Sequence, residues 1–224
     1  MGTEEVRPAF YALGSGGWRD YVTLLHPPYT LWHLSYVAVG AALAPHFHLN
    51  RMLWALLSFF LAMGIAAHAL DELKGRPLRT RIPSAMLVAV ATVSLIAACA
   101  IGVGAARAWG WWLLLFVVVG AAVVPLYNLE LALHDDWGFA LTWGAFPVLT
   151  GYFVEAQTLR VEAVAAAGYA VALSLAQRAL STPVRQARRE RSTTAGVEPL
   201  ERTLRLLTWA SVVLAVALVA ARLR

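Results

Sequence analysis

"AAHALDELKGRPLRT", Ala66 to Thr80, closes a long apolar run with His68, Asp71 and Glu72 inside five positions. Lys74, Arg76, Arg79 and Arg81 follow within the next nine. An apolar run of membrane length that ends in carboxylates and then cations reads as a transmembrane helix reaching the water interface. There cations hold a short loop on one side of the bilayer. The remaining sequence agrees. The 224 residues are 60% hydrophobic and only 14% charged, with a mean hydropathy of +0.64, far from the usage of a soluble domain.

A helix needs roughly 20 apolar residues to cross about 30 Å of hydrocarbon. Seven segments qualify: 29–45, 52–73, 84–105, 108–129, 137–156, 162–181 and 204–222. They are continuously apolar and do not alternate, which excludes the strands of a barrel. The expected fold is an all-α polytopic bundle of about seven spans. Residues 1–28 form a cytoplasmic N-terminal segment, and 29–222 a single transmembrane domain with a polar cytoplasmic loop at 183–203. The first twenty residues carry Glu4, Glu5, Arg7 and Asp20, and no small-residue cleavage pattern follows the first apolar run, so no signal peptide is expected. The single cysteine, Cys99, lies mid-helix and reads as core volume.

With the N-terminus in the cytoplasm, 13 of the 18 cations fall inside, leaving Arg51, Arg107, Arg160, Arg222 and Arg224 on the outer face. The net charge of +5 therefore reads as topology in a multi-pass protein of the cell membrane. No soluble module interleaves basic residues with stacking aromatics, so a nucleic-acid partner is not expected. Asp71, Glu72, Glu130, Asp135 and Asp136 gather on the same face as the cations, which the positive-inside rule does not require.

Helical geometry gives that gathering a chemical meaning. At 100° per residue, Asp71 lies about 60° from His68 on one side and Glu72 about 40° on the other, so all three project from one face. Such a trio can bind a divalent cation or move protons. It can equally be a solvated helix end beside Lys74 and Arg76, although His68 lies a turn deeper, where polar groups face a bundle interior. His33 and Tyr36 share a face of the first span and can line the same cavity. Equally, His33 can be a core histidine bonded to backbone. Glu155 reads as a solvated outer-face residue, and Pro147 as a kink in the fifth span.

Three stretches carry a family resemblance. Ala67 to Asp71 with Arg76-Pro77 lies over an Asn-Asp-x-x-Asp motif and its following Arg-Pro. "VVPLYNLELALHDDWGFALTWGAFPVLTGYF", 123–153, resembles a Tyr-Ser-x-Pro-x-x-Lys stretch running into a Gly-rich helix with Pro-Val-Leu-Gly-x-Tyr. "LLHPPYTLWHLSYVAVGAALA", 24–44, carries His26-Pro27 where Arg-Pro is common. Over residues 22–182 the chain thus resembles the UbiA superfamily of intramembrane prenyltransferases. The resemblance implies a helical bundle around a cytoplasm-facing cavity, an isoprenoid or membrane-lipid substrate, and magnesium as a possible cofactor.

The resemblance also implies a site. His68, Asp71, Glu72, Tyr127 and Asn128 stand at catalytic positions, and His68, Asp71 and Glu72 are candidate metal ligands. Arg76, Arg178, Arg185, His33, Asp135 and Asp136 are candidates for substrate binding. The departures matter as much. Ala67 and His68 replace the Asn and the first Asp. The second Asp-rich motif is absent from "SLAQRALSTPVRQARRERSTTAG", 174–196, whose only carboxylate is Glu190. The family commonly has nine spans, against the seven expected from these 224 residues. Three readings stand at this level: a prenyltransferase-type enzyme, a metal-dependent membrane enzyme built on His68, Asp71 and Glu72, and a non-catalytic protein that binds a lipid or a partner. With one acidic cluster where the family has two, magnesium-dependent prenyl transfer should be weak or absent.

Overall fold

A computed structural model describes residues 7–190 and 196–224, which contain eight helices and no strand. A short helix, α1 (Trp18–Leu24), precedes α2 (Pro27–Leu43). Helix α3 (Leu49–Leu73) includes a π-helical stretch, Phe60–Ala67. Helices α4 (Ser84–Trp109) and α5 (Leu113–Asn128) follow. Helix α6 is continuous through Asp136–Phe139, the π-helical Ala140–Ala145 and Phe146–Ala156. Helices α7 (Val161–Arg189) and α8 (Glu198–Arg222) complete the bundle.

All seven expected apolar segments are therefore helical. Four of them, α3, α4, α7 and α8, are each long and apolar enough to cross a bilayer, and α5 is a shorter apolar helix. Their outward faces carry Val88, Val93, Ile96, Leu115, Val118, Val213 and Val216, all exposed. Exposed branched apolar side chains in this number suit a hydrocarbon solvent and would be a liability in water. Trp111 and Trp112, 64% and 76% exposed in the turn between α4 and α5, fit an interfacial aromatic belt.

The expected polar loop at 183–203 is corrected at both ends. Helix α7 runs on to Arg189 and α8 begins at Glu198, with Arg191 to Ala195 outside the described residues. The polar residues after Ser181 continue the helix because its buried face persists through Val184 and Arg188.

Helix α2 is the axis of the bundle, packed on α6, α8, α3 and α7. Its approach to α6 is close. A Cβ on Gly40 would collide with the Val148 carbonyl, and one on Gly151 with the Val37 carbonyl, the close backbone packing that small residues permit between membrane helices. Pro147 has a specific consequence nearby. Without an N–H it cannot donate to the carbonyl of Trp143 four residues back, and His33 Nδ1 bonds that oxygen at 2.8 Å. The helix defect that the sequence places around a cavity takes the form of the π-helical turn ahead of Pro147, with α2 supplying the hydrogen bond.

Candidate functional site

The two π-helical stretches face each other across a cavity of about 530 Å³. Met63 and Ala67 come from one stretch, Trp143 from the other, and all three line it. His68 and Asp71 from the end of α3, Tyr127 and Asn128 from the end of α5, and Arg178 and Arg185 from α7 also line it, as does His33. Residues more than a hundred positions apart in the chain, His33 and Arg185 among them, therefore share one chamber.

Each element fixes its side chain through the backbone. His68 Nδ1 bonds the Gly64 carbonyl at 3.1 Å, and His134 Nδ1 the Tyr127 carbonyl at 3.0 Å. With His33 on Trp143, three imidazoles of the cavity are held by Nδ1–H donation to main-chain oxygens, which leaves Nε2 as the lone-pair atom of each neutral ring. Asn128 Nδ2 donates to the Val124 carbonyl at 2.7 Å. Arg178 is held most firmly: Nε donates to Asp136 at 2.8 Å and NH1 to the Tyr127 hydroxyl at 3.0 Å. Its guanidinium lies 5.5 Å from the centre of the Phe139 ring. The Asp71 carboxylate has no hydrogen bond or ion pair among the described residues and lines the cavity, so it remains available to a ligand.

Several expected site residues serve the scaffold instead. Glu72 is 0% exposed, and its carboxylate accepts from Leu78 N, Thr80 N and Thr80 Oγ1, each at 2.9 Å. It clamps the loop after α3, with three of its roughly four lone-pair sites taken by that loop and the side chain closed off from the surface. Arg76, at φ 53°, donates to the Ile82 carbonyl at 2.6 Å and to Ser84 Oγ at 2.8 Å; it closes the same loop and lies outside the cavity wall. Asp135 caps α6 by accepting from Gly138 N at 2.6 Å. Asp136 reaches the site only through Arg178.

The metal expectation on His68, Asp71 and Glu72 is corrected with them. No group of three or more His, Cys, Asp or Glu among the described residues is arranged to hold a metal ion. The donor set fits bridged magnesium poorly as well. Asp71 and Glu130 are the carboxylates that line the cavity, and α7 supplies arginines where a second acidic cluster would be needed.

Reading the sequence missed one side of the chamber. Tyr11, His26, Tyr29, Gln177 and Ser181 also line it. His26 caps α2 in the left-handed conformation, φ 46° and ψ 56°, a strained placement for a residue with a Cβ. Its ring stacks on His68 with centroids 4.0 Å apart. Burial, then the neighbouring His68, hold the His26 imidazole well below its usual range, so it is neutral at pH 7. The unusual His26-Pro27 pair was its one visible signal. Glu155, read as solvated, is 3% exposed and accepts from His48 N and Nδ1 at 2.8 and 3.0 Å on the opposite side of the bundle.

Comparison with known proteins bears on the fold. No family model and no curated protein matches this chain. Among solved structures, it is similar to that of a UbiA homolog from Archaeoglobus fulgidus bound to Cd2+, with a TM-score of 0.60 and 19% identity, covering 91% of this chain and 85% of that one. The fold and the outward apolar faces define a helical membrane protein of UbiA-like architecture. The cavity occupies the interior of that bundle, at the ends of α3, α5 and α7.

Proposed function

We propose that this protein is a prenyltransferase-type membrane enzyme that admits an isoprenoid or similar lipid to the cavity at the ends of α3, α5 and α7. One observation carries the reading. The polar chamber adjoins an apolar slot between α3, α4, α5 and α6, and Met63 and Trp143 line both. The slot is walled by Phe59, Leu95, Phe116 and Val124, surfaces suited to a hydrocarbon chain. An amphiphile with its head in the chamber and its tail in the slot matches both environments. In this arrangement the bond between the prenyl carbon and its diphosphate oxygen breaks as the acceptor bonds that carbon, the diphosphate leaves against Arg178 and Arg185, and Asp71 and His68 can accept the proton the acceptor gives up. The chamber opens to the cytoplasm, with the N-terminus on the same side.

The poor fit to magnesium favours a second reading, a lipid-binding protein without turnover. Native mass spectrometry of the full chain in mild detergent, followed by incubation with farnesyl diphosphate and an aromatic acceptor, separates the two. Co-purifying isoprenoid with a prenylated product lost in Asp71→Asn supports the enzyme. Bound isoprenoid with no product supports the binding protein. A chamber that retains no lipid and binds no prenyl chain defeats both.

A further inference from the structure

The wall of the chamber is electrostatically unbalanced. Lys74, Arg178, Arg185, Arg188 and Arg189 line it against Asp71 and Glu130. Two of the cations are matched, Arg178 by Asp136 at 2.8 Å and Arg188 by Glu201 at 2.6 Å. Lys74, Arg185 and Arg189 form no ion pair among the described residues. The side chain of Arg185 makes one hydrogen bond among the described residues, to Thr182 Oγ1 at 3.3 Å, which leaves most of its five donors unused. The same wall also holds unpartnered buried atoms, His26 Nε2 and Gln177 Oε1. A neutral imidazole can carry its proton on Nε2, and an amide can present its NH2 by a flip, so both can donate to a ligand.

A chamber with three cations that form no ion pair among the described residues, and with His26 and Gln177 able to donate beside them, calls for an anion with several acceptor oxygens. The guanidinium fork meets phosphate oxygens in pairs, and Arg178 is already oriented by Asp136, Tyr127 and Phe139. We infer that the chamber grips the phosphate or diphosphate head of its ligand directly through Arg185 and Arg178, with Lys74 and Arg189 adding charge and with no bridging metal ion. In this role the arginines of α7 replace what a second acidic cluster and its magnesium would supply. Asp71, which would be a ligand in a metal-bridged site, then opposes the head and serves the acceptor side. The inference rests on the lipid reading only for the ligand's tail; the head site stands on its own charges.

The test is calorimetric titration of the full chain in mild detergent with inorganic diphosphate, farnesyl diphosphate and farnesol, each with EDTA or with magnesium. Both diphosphates should bind in EDTA, with magnesium changing Kd by less than about threefold. Arg185→Ala should weaken both by about 10-fold or more, Arg185→Lys by less, and farnesol should be indifferent to either change. Arg185 makes a single long hydrogen bond, to exposed Thr182, and no ion pair among the described residues, so the thermal midpoint of Arg185→Ala should match the parent, and a matched midpoint separates a loss of binding from unfolding. Asp71→Asn should preserve or tighten diphosphate binding. Binding that requires magnesium, that is lost in Asp71→Asn, or that is unchanged in Arg185→Ala overturns the inference. If inorganic diphosphate binds and no prenyl compound does, the head site stands and the isoprenoid reading falls. If farnesol binds and neither diphosphate does, the reverse holds.

Discussion

Adjacent carboxylates at the end of α3 have opposite occupations. The Asp71 carboxylate lines the chamber with no hydrogen bond or ion pair among the described residues, while Glu72, one position on, is held by three donors of the loop it folds back upon. Helix geometry puts about 100° between such neighbours, enough to send one to the cavity and the other to the loop. Glu72→Ala should therefore act on stability. It leaves two buried backbone N–H groups of Leu78 and Thr80 without acceptors, and each lost charge-assisted bond costs about 1.5–3 kcal/mol. A clear fall in thermal midpoint in detergent is expected, with diphosphate affinity per folded molecule nearly unchanged. Affinity lost without destabilisation would return Glu72 to the site. From sequence, His68, Asp71 and Glu72 form a single cluster; the hydrogen bonds divide it, because which carboxylate a loop uses depends on where residues 78 and 80 come to lie.

At the scale of elements, the determining contact is the crossing of α2 and α6. Gly40 and Gly151 let the two backbones touch, and Pro147 frees the Trp143 carbonyl for His33. His33 thus stands in both roles open to it from the sequence, bonded to backbone and lining the chamber. Gly151→Ala places a methyl into the Val37 carbonyl with only backbone to yield. The helices must separate, and overpacking of this kind costs about 1–3 kcal/mol or more. A lowered midpoint together with weakened ligand binding is expected, since shifting α6 displaces Trp143 and Phe139 from the wall. By contrast, Gly104→Ala meets no neighbouring atom and should leave both properties intact. An undisturbed midpoint in Gly151→Ala would show that the crossing tolerates a side chain. Gly40, Gly151 and Pro147 are visible in the sequence, the proline as a kink. Their partners are not, because a crossing is defined by two helices and a sequence shows one at a time.

For the whole molecule, the cation distribution makes a topological claim. Reporter fusions at Gly75 should read cytoplasmic and one at Arg107 external, since the loop after α3 is rich in cations and the turn after α4 is not. Opposite readings would invert the bundle and put the chamber on the outer face. The membrane setting, the all-helical class and the approximate limits of all seven long helices follow from composition and apolar run length, because a bilayer imposes one simple requirement on every crossing segment. The polar ends of α3, α5 and α7 are likewise visible as an excess of titratable residues at one interface. The tertiary structure alone decided which of them meet. It brought Tyr11, His26 and Gln177 to the wall, withdrew Glu72, Arg76 and Asp135 into loop and cap duties, and carried α7 to Arg189 and the start of α8 back to Glu198 within the stretch read as a loop. The physical reason is that hydrophobic partition acts on each segment separately, whereas a site is a property of side-chain directions and long-range packing that no single segment contains.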